Sequence, residues 1–239
     1  MTEGATVAVI SDIHGNSPAL NAVLDDIPPE VDGILCLGDI VGYNAGSKVC
    51  LEKVRDVCEH IVRGNHDRDI NNPESYRAST WSPSSGNRAV RKGLELAKDQ
   101  LSQDDIEWIT NLPDTKLVHS ERIFMCHSHP EHTDTYTQKG DFPSVATYMD
   151  SSTEVLLLGH THQQASVDMS KFDRHGWVVT PGSVGQPRDG TAAKYALLKF
   201  HNAHTEVELR SVSYPINEII KKNDNADLPS NTSERLKEN

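Results

Sequence analysis

The chain opens with a β-branched apolar run, Thr6 to Ser11 (TVAVIS), that stops at Asp12. Leu20, Val23, Leu24 and Ile27 then recur at helical spacing, so the pattern predicts a strand, a loop and a helix over 18–26. The unit repeats. Gly33 to Leu37 (GILCL) reads as a fully apolar strand, 38–46 as a loop, and Val49, Val54 and Val57 mark a helix over 48–58. A third strand, Ile61-Val62, ends at Arg63-Gly64. Strands alternating with helices at this spacing predict βαβ units in a mainly parallel sheet, with ligand-binding loops at the carboxyl ends of the strands.

Past Gly64 the pattern changes. Residues 71–86 are polar and turn-rich, a helix follows over 87–100, and Ser102 with Asp105 three residues on is a capping-box signature for a second one, closed by Leu112-Pro113. Short apolar segments at 116–119, 122–126, 155–158, 177–180, 195–200 and 206–212 have few helical stretches between them. They predict a second sheet packed on the first. The expected fold is therefore α/β, two mixed sheets face to face with helices outside, as one domain over 1–220. Residues 221–239 (KKNDNADLPSNTSERLKEN) read as a polar, mostly solvated tail ending in a short helix over 233–237.

Composition narrows the class. At 239 residues, 36% hydrophobic and 24% charged, the chain has the balance of a globular domain, and no apolar run approaches the roughly 18 residues of a membrane span. Met1 to Ala5 has no basic region followed by an apolar one, so a cytoplasmic enzyme without a membrane partner is expected. Thirty-five acidic against 23 basic residues argue against a surface built to grip nucleic acid. Cys36, Cys50, Cys58 and Cys126 form no CxxC pair, so reduced, buried thiols are expected rather than a zinc-thiolate site.

The candidate chemistry lies in where Asp, Asn and His fall. Asp12-x-His14, Gly38-Asp39, Gly64-Asn65-His66-Asp67, His127 and Gly159-His160-Thr161-His162 each follow an apolar strand segment, so all five would project from one rim of the sandwich. Singly, DxH, GD and HxH are common turns or surface pairs; GNHD is stronger, because four such polar residues directly after an apolar strand have no packing purpose, and all five in this order at strand ends point to one site. In an extended DxH loop Asp12 and His14 would point the same way and bind one ion, while Asp39, alone in its loop, could bridge two ions through its two oxygens. The fourth motif reads Cys126-His127-Ser128-His129-Pro130 and leaves two candidate histidines, of which His127 follows the strand directly. Mixed oxygen and imidazole donors suit two divalent ions of the manganese, iron, zinc, cobalt or nickel kind, manganese first, better than calcium.

With DxH, GD, GNHD, a histidine and GHxH all present, the sequence resembles the calcineurin-like metallophosphoesterase superfamily. Within it, SDIHGNSPAL at 11–20, LGDIVGYN at 37–44, VRGNHD at 62–67, LGHTHQ at 158–163 and TPGSVGQPRDG at 180–190 resemble small bacterial and archaeal phosphodiesterases. The resemblance implies a four-layer α/β/β/α sandwich. It also implies one ion on Asp12, His14, Asp39 and His162, a second on Asp39, Asn65, His127 and His160, and a non-ligating His66 against the phosphate or leaving group. Where serine/threonine phosphatases of the superfamily carry GDxxDRG, this chain has Gly42-Tyr43-Asn44, which argues against protein phosphatase activity.

The expected reaction is hydrolysis of a phosphate ester by a hydroxide bridging the two ions, with His66 as the acid, oriented by Asp67 or a backbone group. Asn16, Arg63 and Arg188 are lesser candidates for phosphate contacts, with Arg63 and Arg188 equally readable as structural ion-pair partners. Tyr43, Asn44, Tyr136 and the stretch 71–86 are candidates to line the cleft. The expected substrate is a small nucleotide-like diester. A phosphomonoesterase, a dinucleoside polyphosphate hydrolase, a nuclease and a non-catalytic scaffold on the same fold are the alternatives. The sequence leaves a homo-oligomer open.

Overall fold

The computed structural model describes residues 4–75, 84–202 and 204–238. One sheet has the order β10-β9-β1-β2-β3, built from β1 (Thr6–Ile10), β2 (Gly33–Cys36), β3 (His60–Ile61), β9 (Ala193–Phe200) and β10 (Thr205–Val212). The first three run parallel, with Val9 opposite Leu35 and Cys36 opposite Ile61. β9 joins β1 antiparallel, and β10 joins β9. The other sheet has the order β4-β5-β6-β8-β7, from β4 (Thr115–Val118), β5 (Ile123–Cys126), β6 (Val155–Leu157), β7 (Gln164–Asp168) and β8 (Trp177–Pro181), with β5, β6 and β8 parallel.

Both sheets are covered on both faces, which is why their central strands read as unbroken apolar runs. Along β1 alternate side chains part ways. Val7 and Val9 join Leu35, Met125, Leu157, Val179 and Leu198 in the core between the sheets. Ala8 and Ile10 face a second core under helices α1 (Ser17–Asp26), α2 (Ser47–Val57), α4 (Ser84–Gln100) and α5 (Gln103–Thr110). On the far side of the other sheet, Leu156, Leu158 and Val178 pack with Phe142 and Val145 of α6 (Phe142–Val145). The result is the expected α/β/β/α sandwich of two mixed sheets. Among the described residues no helix is long and apolar enough to cross a membrane.

Two expectations are corrected. β7 (QASVD) was not expected as a strand, because all five of its residues are only partly buried and it lacks the apolar signal of the interior strands. The tail is docked on the fold through a few buried residues, although most of its side chains remain exposed. A helix α7 (Ile216–Asn225) runs through the boundary set at 220, and α8 (Ser230–Glu234) follows it. Ile219, Asn223, Thr232, Ser233 and Leu236 are buried. Polar residues do much of this anchoring: Asn223 accepts from the Ala45 amide and donates to the Asn44 side chain, both 38–46 loop residues, and Lys222 donates to Ser17.

Ser102 caps α5 as the spacing predicts, with the Asp105 amide donating to Ser102 Oγ and the Asp105 carboxylate accepting from the Ser102 amide. The same carboxylate binds Lys48 Nζ at 2.7 Å and Arg55 Nη1 at 3.1 Å, tying α5 to α2. Lys48 first, then Ser102, lower its pKa to about 2. A depressed carboxylate stabilises the fold above its unfolded pKa, near 3.8, and loses that contribution as pH falls through the folded value, about 2. Asp105→Asn should therefore cost about 1 kcal/mol at neutral pH. Melts of wild type and variant should converge between those two pH values.

Candidate metal centre

Each candidate ligand sits just past a parallel strand: Asp12 and His14 after β1, Asp39 after β2, Asn65 after β3 at the start of α3 (Asn65–Asp69), His127 after β5, and His160 and His162 after β6. All of them are buried. The backbone at Asp12, His14, Asp39, His160 and His162 has φ between 48° and 64°. This left-handed region is uncommon for side chains with a Cβ and costs about 1–3 kcal/mol per residue. The DxH loop is thus not extended as expected; Asp12 and His14 converge because the chain coils tightly through both. Loop contact permits no extra atoms here. A Cβ on Gly64 would stand 2.0 Å from Asp39 Oδ1, and one on Gly159 would stand 2.2 Å from Ser11 Oγ.

The donor atoms form two groups, Asp12, His14 and His162 in one and Asp39, His127 and His160 in the other, with a third, His14, Asp39 and His66, overlapping both. In the first, His162 Nε2 is 3.3 Å from Asp12 Oδ1 and 3.0 Å from His14 Nε2, which is itself 3.7 Å from Asp39 Oδ2. In the second, Asp39 Oδ2 is 3.4 Å from His127 Nε2, and His160 completes a cluster with these two. Asp39 Oδ2 thus lies between the two groups, near one histidine of each. Asp39 Oδ1 accepts the His66 amide at 2.8 Å, which leaves Oδ2 the oxygen turned toward His14 and His127. In the same way Asp12 Oδ2 accepts from Ser11 Oγ and the His160 amide, leaving Oδ1 for the centre.

The outer ring nitrogens are anchored to carbonyls: His14 Nδ1 to Val41, His127 Nδ1 to Leu37 and His162 Nδ1 to Gln186. These contacts fix each ring with Nε2 inward. Burial pulls His14 and His162 down, the charge of His66 acting next on His14 and that of Arg188 next on His162. Two neutral rings donating outward would point bare Nε2 lone pairs at each other across 3.0 Å, which repels unless a cation lies against both. A cation about 2.1 Å from each nitrogen, at right angles, sets them about 3.0 Å apart. Asp12 Oδ1, Asn65 Oδ1, His127 Nε2 and His160 Nε2 are buried without a hydrogen-bond partner among the described residues. Orphaned buried donors of this kind, all facing one point, fit divalent ions.

The remaining electrostatics agree. Burial raises the Asp12 and Asp39 pKa values, but His162 for the one and His127 for the other outweigh it and hold both well below the usual carboxylate range. Burial lowers His160 to about 3, helped by His127. Burial opposes the charge on His127 too, but Asp39 and Asp12 carry it up to about 10, so protons and cations compete for its nitrogen.

His66 lies beside the centre, its ring 4.6 Å from that of His14 and stacked at 4.9 Å on Tyr43. Asp67, one of the two orienting groups expected for His66, turns to the backbone. Its carboxylate accepts the backbone amides of Asp39, Ile40, Val41 and Gly64. Burial and the charge of Asp39 push it up to about 7, against these amides, which favour the ionised form. Gly42 and Tyr43 set the place of His66: a Cβ on Gly42 would stand 2.5 Å from its Nδ1.

Two tentative phosphate contacts are elsewhere engaged. Arg63 binds Asp114 through Nε and Nη2 and the Thr110 carbonyl through Nη1, the ion-pair role. Asn16 is fully buried, capping α1 through the Ala19 amide and donating to the Gly185 carbonyl and Tyr214. Arg188 does reach the mouth: its amide donates to the His162 carbonyl and its guanidinium lies 6.0 Å from the Tyr136 ring, which packs at 4.4 Å on His160. His129 stacks on His132, away from the cluster, and Asn44 is a loop anchor donating to the His14 carbonyl. Of the stretch 71–86, residues 76–83 lie outside the described residues. Sequence reasoning missed Ser11, Ser183, whose Oγ donates to the Asp12 carbonyl, and Gln186. The GSVGQ run at 182–186 was the available signal: Val184 and Gly185 amides donate to Ser11 and Asp12, backing the DxH loop.

A buried Asp/His/Asn cluster at the carboxyl edge of a two-sheet sandwich defines a metallophosphoesterase-type centre. The family model described as the calcineurin-like phosphoesterase superfamily domain matches residues 6–203, and the chain belongs to that superfamily. An uncharacterised protein of Methanocaldococcus jannaschii is 29% identical, with 96% of each chain covered. Among solved structures, a metallophosphoesterase from Sphaerobacter thermophilus superimposes with a TM-score of 0.80 at 27% identity over 98% of both chains. A hypothetical protein from Pyrococcus horikoshii OT3 does so at 0.78 and 21% over 97% of both.

Asp67→Asn turns an NH2 group toward amides that themselves donate. It should lower stability by about 2 kcal/mol in EDTA, and elemental analysis should show reduced metal content. An unchanged melt with full metal content would remove Asp67 from the scaffold of the centre.

Proposed function

We propose that this chain is a binuclear metal-dependent phosphodiesterase acting on small nucleotide-like diesters, with manganese the first candidate ion. The observation that carries the reading is Asp39 Oδ2 lying between the two donor groups, 3.7 Å from His14 and 3.4 Å from His127, with four buried donor atoms that have no hydrogen-bond partner among the described residues. Asp12, His14, Asp39 and His162 would hold one ion, and Asp39, Asn65, His127 and His160 the other. Two such ions supply positive charge at the phosphoryl oxygens and a hydroxide nucleophile near neutral pH.

The chain's own residues do the rest. His66, packed by Gly42 and Tyr43 at the edge of the centre, is placed to donate a proton to the leaving oxygen. Arg188, at the mouth, adds positive charge that attracts an anionic substrate. Tyr136, 37% exposed and packed at a tilt against His160, offers an aromatic face to a base or aryl group, which favours a nucleotide-like ester. At the positions of the acid and the arginine of serine/threonine phosphatases stand Gly42 and Tyr43, both uncharged, with Tyr43 stacked on His66, which favours a diester monoanion over a phosphoprotein.

Protein purified without added metal should carry two equivalents, and with the ion found should cleave diesters faster than monoesters in parallel assays. Monoesters cleaved faster would replace this reading with a phosphomonoesterase. His66→Ala should keep both ions and lose about 10²–10⁴-fold in kcat. Asp39→Asn should deplete both sites; two full equivalents with an unchanged rate would refute the bridge.

A further inference from the structure

The loop after β8 and the C-terminal segment meet across a cleft beside the centre. Gln186, Pro187 and Arg188 line one side, Arg235 and Glu238 the other. Gln186 is only 2% exposed, yet neither its Oε1 nor its Nε2 has a hydrogen-bond partner among the described residues. An amide buried with its full hydrogen-bonding capacity unused costs about 1–3 kcal/mol unless something outside the fold satisfies it. The same residue's carbonyl holds His162 Nδ1 at 2.7 Å, so the amide sits one residue from a candidate ligand.

Charge points the same way. In a chain with 12 more acidic than basic residues, Arg188 and Arg235 line one cleft, and neither makes an ion pair with a described carboxylate. Glu238 is the one carboxylate among the lining residues, which leaves the cleft net positive. The fields of both guanidiniums reach Tyr43, the residue stacked on His66. Arg235 is exposed but its place is fixed, because Leu236 next to it is buried, as are Thr232 and Ser233 one turn before.

We propose that this cleft is a subsite for a second phosphate group of the substrate, distinct from the phosphate that is cleaved. Arg188 and Arg235 are its cations and the Gln186 amide its neutral donor. Arg235 is then a specificity-determining residue supplied by the C-terminal segment. The inference rests on the phosphodiesterase reading and narrows it to diesters carrying a further terminal phosphate.

The test uses a matched pair, the p-nitrophenyl esters of thymidine 5′-monophosphate and of thymidine 3′,5′-bisphosphate, with metal-loaded protein. Wild type should favour the second ester in kcat/KM by about ten-fold, chiefly through KM, the scale of one charge-assisted hydrogen bond. Arg235→Ala should collapse that ratio toward one, and Arg235→Lys should restore part of it. Calorimetric titration with the two parent nucleotides reads the same ratio in Kd without turnover. A wild-type ratio near one, or an equal loss on both ligands in Arg235→Ala, would overturn the subsite while diester hydrolysis stands. A Kd ratio that depends on Arg235 in a protein cleaving neither ester would keep the subsite and defeat the phosphodiesterase reading.

Discussion

The centre is held from behind by one carboxylate. Asp67 gathers the amides of Asp39, Ile40 and Val41 from the loop after β2 and that of Gly64 from the loop after β3. Without an acceptor there, four buried N–H groups in non-repetitive backbone would lack partners. With it, Asp39 is fixed with Oδ1 on the His66 amide and Oδ2 turned toward both histidine groups. The last residue of GNHD therefore ties the loop after β2 to the loop after β3.

Much of this was legible in the sequence because the parallel strands leave little choice. A strand buried on both faces must be apolar throughout, so the first Asp, His or Asn after it marks the rim, and five such marks define one edge. The left-handed backbone was not legible, since Asp12, His14, Asp39, His160 and His162 are not glycines; loop packing, not residue preference, imposes it. Nor was the fate of Arg63, whose partner Asp114 lies 51 residues away. The C-terminal segment misled for a related reason. It buries few large apolar side chains and docks through Asn223, Lys222 and other polar contacts, and hydropathy does not record polar groups that are buried because they are paired.

That segment also alters what the GD loop is. Asn223 reaches Asn44 and Ala45, and Asn44 reaches the His14 carbonyl, so a chain of hydrogen bonds runs from α7 to the DxH loop. The rim is thus braced from both sides, by the 182–186 loop behind Asp12 and by the C-terminal helices beside His14. The helices that brace the ligands also carry Arg235 to the cleft, so ligand geometry and cleft charge share one support.

Stability and cation binding are coupled by the same arrangement. Each of the five strained ligand positions costs about 1–3 kcal/mol, and each orphaned buried donor a similar amount. None of these costs lowers the energy of the folded chain, and hydrophobic packing of the two sheets has to offset them. A cation held there would satisfy several of the orphaned atoms at once and would bind only where the loops have already closed, so its binding free energy would add to folding free energy. Strain at these residues is consequently what a preorganised site requires: the sandwich holds the donors in place ahead of the ion, and little reorganisation remains when it arrives.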